Sequence, residues 1–138
     1  MRRLLAAGAC LLAVAGCDVL EPGAADRIPG RYQLVSYDAR PLPAVEKGQA
    51  AGDRVEIVSA EMEMRRNFRW VLTSRVDSVV AGVRTTGVRA DSGYFVFPER
   101  DVRIVAFVSV DGSVHSGTTA GDTLHVLWGQ TRRDVFVR

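Results

Sequence analysis

The sequence is poor in cysteine. Its 138 residues contain two cysteines, Cys10 and Cys17, and none after them. A domain built from the later residues therefore has no thiol with which to form a disulfide bond. We predict that such a domain is stabilised by packing alone.

The sequence also lacks the short motifs of the common catalytic sites. It contains no Gly-x-Ser-x-Gly, no His-Glu-x-x-His and no glycine-rich phosphate loop. Its carboxylates are scattered along the chain, largely at positions that we expect to face outward. We therefore predict that the protein is not an enzyme and that it has no cofactor.

Charge of one sign is not in large excess. The chain has 18 basic and 16 acidic residues, and all the acidic ones follow Cys17. Two of the basic residues, Arg2 and Arg3, belong to an N-terminal leader, and without them 16 basic residues balance the 16 acidic ones. Nucleic-acid-binding proteins carry an excess of positive charge, so we predict no nucleic-acid partner.

The N-terminal sequence MRRLLAAGACLLAVAGC has the order of a secretory leader. Arg2 and Arg3 precede an apolar run at residues 4–14, which is shorter than the roughly 20 residues that a membrane-spanning helix needs. The stretch Val-Ala-Gly-Cys at residues 14–17 resembles the lipobox of bacterial lipoproteins. That resemblance implies cleavage before Cys17, a diacylglycerol on its thiol, and an acyl chain such as palmitate on the new N-terminus. It implies a protein anchored by lipid in the bacterial cell envelope, facing the periplasm or the exterior.

Two alternatives remain for this leader. It could be an ordinary signal peptide cut after Ala13-Val14-Ala15, or an apolar N-terminal helix of a cytosolic protein. On the lipoprotein interpretation, residues 1–16 are a cleaved signal peptide and residues 17–29 hold the lipidated Cys17 and a flexible tether rich in Pro, Gly and Ala. Residues 30–138 then form a single domain.

From Gly30 onward, apolar residues recur with a period of two, as in half-buried strands. The clearest inward face comprises Phe68, Trp70, Leu72, Ser74 and Val76. An earlier strand has an inward face of Val58, Ala60, Met62 and Met64. The first strand has one of Tyr32, Leu34 and Ser36. We expect Arg69, Thr73, Arg75 and Asp77 on the outward face. Turn signals recur at Arg65-Arg66-Asn67, Ala81-Gly82, Asp91-Ser92-Gly93 and Gly121-Asp122. Asp111-Gly112 predicts a hairpin with a type I′ turn.

Eight or nine short strands at hairpin spacing predict an all-β fold, an antiparallel up-and-down barrel. Closure removes the two exposed edges that an open sheet would leave. A two-sheet β-sandwich is the alternative, although the links after Asp53 are of hairpin length and Greek keys need longer crossings.

Three stretches of sequence carry a resemblance to a known group. GRYQLVSYDARPLP at residues 30–43, DSGY at residues 91–94 and GDTL at residues 121–124 resemble strand starts of small lipocalin-like bacterial lipoproteins. The resemblance implies a barrel that holds a ligand, and it transfers no catalytic residue.

Two groups of residues are candidates for binding a ligand. Met62, Met64, Phe68, Trp70 and Leu72 either line a cavity for an apolar ligand or fill the core, and core filling is favoured because a small barrel must pack something inside. Arg65, Arg66 and Arg69 surround one hairpin tip. They either bind an anionic group or form a solvated turn.

His115 and His125 are the only histidines and are weak candidates for a metal site. A three-residue loop at residues 119–121 would place them opposite each other on neighbouring strands, close enough to share a metal. A two-residue loop would break this register. Since no third ligand is apparent, we predict no metal.

The sequence thus supports two functions of different kinds. The first is a lipid-anchored carrier whose barrel binds a small apolar or amphipathic molecule, with residues 38–53 as a lid. The second is a protein-interaction module, such as an envelope inhibitor or an assembly accessory factor, with a filled barrel.

Overall fold

A computed structural model describes residues 27–46, 52–98 and 103–138. The predicted leader, the lipidation site at Cys17 and most of the tether lie outside the described residues. Among the described residues there is no α-helix, and thus none with the length and apolar character needed to cross a membrane.

Ten strands make up the described part of the chain. They are β1 (Gly30–Tyr37), β2 (Arg40–Pro41), β3 (Ala44–Val45), β4 (Arg54–Met64), β5 (Arg69–Val80), β6 (Val83–Val96), β7 (Ile104–Ser109), β8 (Val114–Ala120), β9 (Thr123–Trp128) and β10 (Arg132–Val137). Strands β4 to β10 pair in sequence order, each antiparallel to the next.

Strand β1 closes the sheet. It pairs antiparallel with β10 along one side, and its first half, Gly30 to Gln33, pairs with β4 along the other. The result is an eight-stranded, antiparallel up-and-down barrel. Two short additional strands, β2 and β3, pair with β1 and β4. The predicted barrel is confirmed, and the sandwich alternative is excluded.

The hairpin turns differ in type. Ala81-Gly82 is a two-residue turn with positive φ at both positions, 49° and 79°, as a type I′ turn requires. Asp111-Gly112 does form a hairpin, but the predicted type I′ turn is wrong, since only Gly112 has a positive φ, 86°. The Gly112 N–H bonds to the Ser109 carbonyl and the Ser109 N–H to the Ser113 carbonyl. This is the pattern of a three-residue loop closed by a left-handed glycine.

Two β-bulges change which residues face inward. In β1 the register shifts between Leu34 and Ser36, so Tyr37 is buried where the simple alternation predicts Ser36. In β4 it shifts between Ile57 and Ser59, and Ile57 is buried in place of Val58. Each bulge adds one residue to a strand and so reverses the faces beyond it.

Two further residues depart from the expected faces. Phe68 lies in the β4–β5 turn with a φ of 60° and is 51% exposed, because the strand begins only at Arg69. Asp77 faces outward but is 8% exposed, since it accepts a hydrogen bond from Thr86 and pairs with Arg84.

An aromatic cluster of four residues fills one part of the barrel: Trp70, Phe95, Phe107 and Trp128. Its ring centroids lie 5.8 to 6.5 Å apart in tilted or edge-to-face pairs, the geometry that aromatic quadrupoles favour. The indole N–H of Trp70 donates to the carbonyl of Tyr94 at 3.1 Å. Its one polar group is therefore satisfied while the ring is fully buried.

Candidate functional site

A cavity of about 230 Å³ opens at the end of the barrel where β1 and β4 are no longer paired. We call it the barrel cavity. Its lining residues come from β1, β4, β5, β6 and β10, with Glu46 from the segment after β3: Leu34, Tyr37, Glu46, Ile57, Ala60, Leu72, Ser74, Arg89, Ala90, Asp91, Arg132, Asp134 and Phe136.

Short side chains leave the space open. Ala60 on β4 lies directly opposite Ser74 on β5, and Ser74 lies opposite Arg89 on β6. Neither Ala60 nor Ser74 reaches the barrel axis. The floor below them is apolar, since Leu34, Ile57, Leu72 and Phe136 are all buried.

A buried ion pair forms one wall of the mouth. Asp134 is only 3% exposed. Its carboxylate lies 3.2 Å from the Arg132 Nε and accepts a hydrogen bond from the Asp38 backbone N–H at 3.1 Å. Burial raises the pKa of the Asp134 carboxyl, an effect that Arg132 and the Asp38 N–H oppose. The wall thus holds a carboxylate whose charge is costly to keep.

Arg132 is held in place by two rings. Its guanidinium carbon lies 5.1 Å from the centroid of the Tyr37 ring and 5.0 Å from that of Trp128. Both distances are within the range of cation–π attraction. Because the two rings and Asp134 constrain it together, Arg132 presents a cation in a defined position at the mouth.

A second ion pair crosses the mouth. Glu46 lies 3.1 Å from Arg89, and the Tyr37 hydroxyl donates to Glu46 at 3.4 Å. Strand β3, just before Glu46, pairs with β4 at Ile57 and Glu56. Glu46, within the segment 38–53 predicted to be a lid, therefore contacts the mouth, while residues 47–51 lie outside the described residues.

The five predicted apolar ligand residues are distributed over different parts of the molecule. Leu72 borders the barrel cavity. Met62, Met64 and Trp70 are buried in the core away from it, and Phe68 lies at the hairpin tip with its ring 5.6 Å from that of Phe95.

The sequence analysis missed most of the cavity residues, among them Leu34, Ile57, Phe136, Arg132 and Asp134. The alternation of β1 places Leu34 on the inward face but indicates no role for it. Finding Ile57 would have required knowledge of the bulge in β4. For Asp134 and Phe136 the sequence offers one signal: their alternation on β10 indicates that the two side chains share one face of the strand.

The predicted arginine cluster lies at the opposite end of β4 from the barrel cavity. Arg65, Arg66 and Arg69 are all exposed around the β4–β5 tip. Arg65 is bonded to Glu63 at 3.0 Å. The three residues are close in sequence and in space, but they do not contribute to the cavity.

Of the two loop lengths that the sequence left open, the structure has the two-residue loop, and the two histidines do not lie opposite each other. Ala120 pairs with Thr123, which leaves a two-residue loop at Gly121-Asp122 and places His125 opposite Thr118. His115 instead lies opposite Phe107 on β7. In the part of the chain that the structure describes, no group of three or more His, Cys, Asp or Glu side chains could hold a metal.

His115 links two turns. The Gly129 backbone N–H donates to its Nδ1 at 3.0 Å, so in the neutral ring Nε2 carries the proton. That nitrogen lies 3.1 Å from the Ser113 hydroxyl and 3.3 Å from the Ser109 hydroxyl. Burial lowers the pKa of His115, and Arg132 lowers it further. With its proton on Nε2, the ring donates to the serines and cannot act as their base.

A larger depression, of about 550 Å³, lies on the outer face of β7 to β10. Ile104, Leu127 and Val135 border it, and the short side chains of Ser116 and Thr118 form its middle. It is a surface feature, separate from the interior of the barrel.

Comparison with known proteins identifies no relative. No protein-family model, no curated protein and no solved structure matches the chain. The closed eight-stranded barrel is consistent with a lipocalin-like architecture.

Proposed function

We propose that the protein is a lipid-anchored lipoprotein of the bacterial cell envelope whose barrel binds a small apolar or amphipathic molecule. The observation that carries this proposal is the barrel cavity, with its apolar floor and its charged mouth. A concave, mainly apolar site with a few fixed polar groups is the usual form of a small-molecule site.

The size of the cavity bounds the ligand. Its volume of about 230 Å³ is below the roughly 300–1,000 Å³ typical of sites for drug-sized ligands. The ligand is therefore a smaller molecule, or an amphiphile that inserts only the end of its apolar chain. In the second case its polar part meets Arg89, Arg132 and the carboxylates at the mouth.

A fluorescent apolar probe, N-phenyl-1-naphthylamine, tests this proposal on the full chain. We expect its emission to rise on binding, and Ala60→Leu to weaken the binding at least tenfold because the added methyl groups enter the cavity. Ser59→Leu is the matched control, since it places the same side chain on the neighbouring, exposed position of β4.

Two outcomes would contradict the proposal. One is the absence of probe binding to the wild-type chain. The other is equal binding by the two leucine variants, which would place the probe outside the cavity. Circular dichroism of each variant establishes that it is folded.

The anchor requires a separate experiment. We expect Cys17→Ala to release the protein from the membrane fraction or to leave an uncleaved precursor, because no thiol remains to receive the lipid. A variant that is still processed and still bound to membranes would overturn the lipoprotein assignment.

The second candidate function is a protein-interaction module, such as an envelope inhibitor or an assembly accessory factor. The aromatic cluster supports it, because a barrel filled by its own side chains leaves little room for a ligand. The apolar outer depression also supports it, since partners bind such surfaces. A wild-type chain that does not bind the naphthylamine probe would favour this function.

A further inference from the structure

Strand β6 has a long unpaired edge. The strand runs over 14 residues, but β7 pairs with only its last four, Gly93 to Val96. Residues 83–92 are bonded to β5 on one side. On the other side, no strand of the described residues pairs with them.

The hydrogen-bond pattern identifies which backbone groups of this stretch have no strand partner among the described residues. In an antiparallel pair, successive residues point their N–H and C=O alternately toward and away from the partner strand. The Ser92 carbonyl points away from β5, since it accepts from the Val110 N–H at 3.0 Å. Arg84, Thr86, Val88 and Ala90 share its orientation, so the edge presents four N–H and four C=O groups. We call these four residues the β6 edge.

The edge is preformed. All twelve residues of β5 pair with β6 without a bulge, from Arg69 opposite Tyr94 to Val80 opposite Val83. Because β6 is already ordered, binding a strand here costs no conformational entropy in β6. The conformational entropy lost on binding is that of the incoming segment.

Side chains along the edge offer both apolar and charged contacts. Val83 and Val88 are 67% and 71% exposed. By the alternation of a strand, Val88 and Arg84 share one face of the sheet, while Val83 and Arg89 share the other. Each face of β6 in this stretch thus carries one valine and one arginine.

Charge distinguishes between two occupants. Residues 83–90 contain two arginines and no carboxylate. A second copy of the chain would bring four guanidinium groups to one seam, and charged edges oppose self-pairing of this kind. Arg84 pairs with Glu56 and Asp77, and Arg89 pairs with Glu46. The two arginine side chains nevertheless remain 56% and 52% exposed, so they can also attract carboxylates of an incoming chain.

We propose that the β6 edge binds an extended, acidic segment of a partner protein by β-strand addition. The segment's backbone bonds to Arg84, Thr86, Val88 and Ala90, and its carboxylates meet Arg84 and Arg89. The bound segment continues the line of β7 beyond Val110. The segment shares Arg89 and Ala90 with the lining of the barrel cavity, while its contacts at Arg84, Thr86 and Val88 lie outside that cavity.

Amide hydrogen exchange on the full chain tests the proposal. The probe is a capped heptapeptide, Glu-Val-Thr-Val-Thr-Glu-Thr, whose two carboxylates are five residues apart, as Arg84 and Arg89 are. The matched control peptide has lysine at both glutamate positions. With the acidic peptide we expect exchange to slow at least tenfold at the four amides of the β6 edge. Thr85, Gly87 and Arg89 are internal controls, because their N–H groups already face β5 and should not change.

Three results would overturn the proposal. The first is unchanged exchange at the edge with millimolar acidic peptide. The second is equal protection by the lysine peptide, which would remove the acidic specificity. The third is protection that grows with protein concentration in the absence of peptide, which would make a second copy the occupant.

Two variants localise the binding. Val88→Pro removes one N–H that points away from β5, so the β5–β6 pairing can persist while peptide protection is lost; Val88→Thr is the matched control and should bind normally. If Val88→Pro does not fold, the double variant Arg84→Glu, Arg89→Glu replaces it. We expect that variant to bind the lysine peptide at least tenfold more tightly than the acidic one, and an unchanged preference would overturn the proposal.

Discussion

The interior of the barrel has two sectors that differ in how completely they are filled. Under β5, β6, β7 and β9, the aromatic cluster packs ring against ring. Between β1, β4, β5 and β10, the barrel cavity remains open. Both sectors are lined by buried apolar side chains. The floor of the open sector is therefore apolar like the filled sector, and the two differ in polarity at the mouth, where charged side chains border the cavity.

The difference comes from side-chain volume at facing positions. The large rings of Trp70, Phe107 and Trp128 converge on one point of the filled sector. In the open sector the small side chains of Ala60 and Ser74 are paired on the adjacent strands β4 and β5. Close packing in the first sector supplies stability, because each buried ring makes many contacts. The second sector gives up such contacts and gains a site whose mouth is bordered by ion pairs.

The largest effect should follow from emptying the filled sector. Trp70→Ala removes a fully buried indole and its hydrogen bond to Tyr94. We expect it to lower the free energy of unfolding by about 3–5 kcal/mol, measured by denaturant titration. Arg69→Ala, at an exposed position next to it, should change that free energy by no more than about 0.5 kcal/mol. Similar costs for the two variants would contradict the inward orientation of Trp70.

A pair of glycines compares the filled sector with a loosely packed position on β6. A Cβ at Gly117 would lie 2.7 Å from a ring carbon of Phe107 and 3.0 Å from the His125 carbonyl. We therefore expect Gly117→Ala to cost about 1–3 kcal/mol by overpacking. At Gly87 the nearest atom to a new Cβ is a methyl of Val76 at 3.8 Å. Gly87→Ala should be neutral or stabilise the fold by up to about 1 kcal/mol.

Denaturant midpoints of the two alanine variants test this difference. If Gly117→Ala is tolerated as well as Gly87→Ala, the filled sector is less tightly packed than the contacts around Phe107 indicate. The two variants are matched, because each adds one methyl group to a strand residue without a positive φ.

A smaller effect concerns pH and His115. Its pKa lies below the ordinary value of 6.5, so as the pH falls below 6.5 the unfolded chain takes up a proton before the folded one. Stability should therefore decrease from about pH 6.5 down to the lowered pKa. His115→Gln should remove this slope and cost about 1 kcal/mol near pH 7.5, because the Gly129 N–H loses its acceptor.

The exposed His125 provides the control for that measurement. A slope that survives His115→Gln and disappears with His125→Gln would reverse the assignment.

The smallest effect should come from the mouth of the open sector. Burial raises the pKa of Asp134 above its ordinary value of 3.8, so the folded chain holds that proton to a higher pH than the unfolded one. This group's contribution to stability is present below pH 3.8 and is lost as the pH rises through the raised pKa. Asp134→Asn keeps an acceptor for the Asp38 N–H and should abolish the loss. A steeper decline of stability with pH in the variant would contradict this reasoning.

Sequence alone was sufficient for the architecture. The period of two predicts strands, and the short links predict a meander that closes, because an open sheet of this length would expose two edges. Trp70 and Leu72 were placed correctly on the inward face for the same reason. These are local properties, since they depend on neighbouring residues along one strand and on the length of a turn.

Tertiary structure alone determined the site. The bulges in β1 and β4 place Tyr37 instead of Ser36 and Ile57 instead of Val58 on the inward face. A two-residue loop places the two histidines at positions that are not opposite each other. The barrel cavity depends on pairings between residues distant in sequence, such as Arg132 held between Tyr37 and Trp128. Which side chains meet inside a closed barrel depends on the register of every strand pair. One bulge or one additional loop residue changes that register and reverses which side chains face inward. The sequence therefore determined that a barrel forms, and the register of its strands decided where that barrel is open.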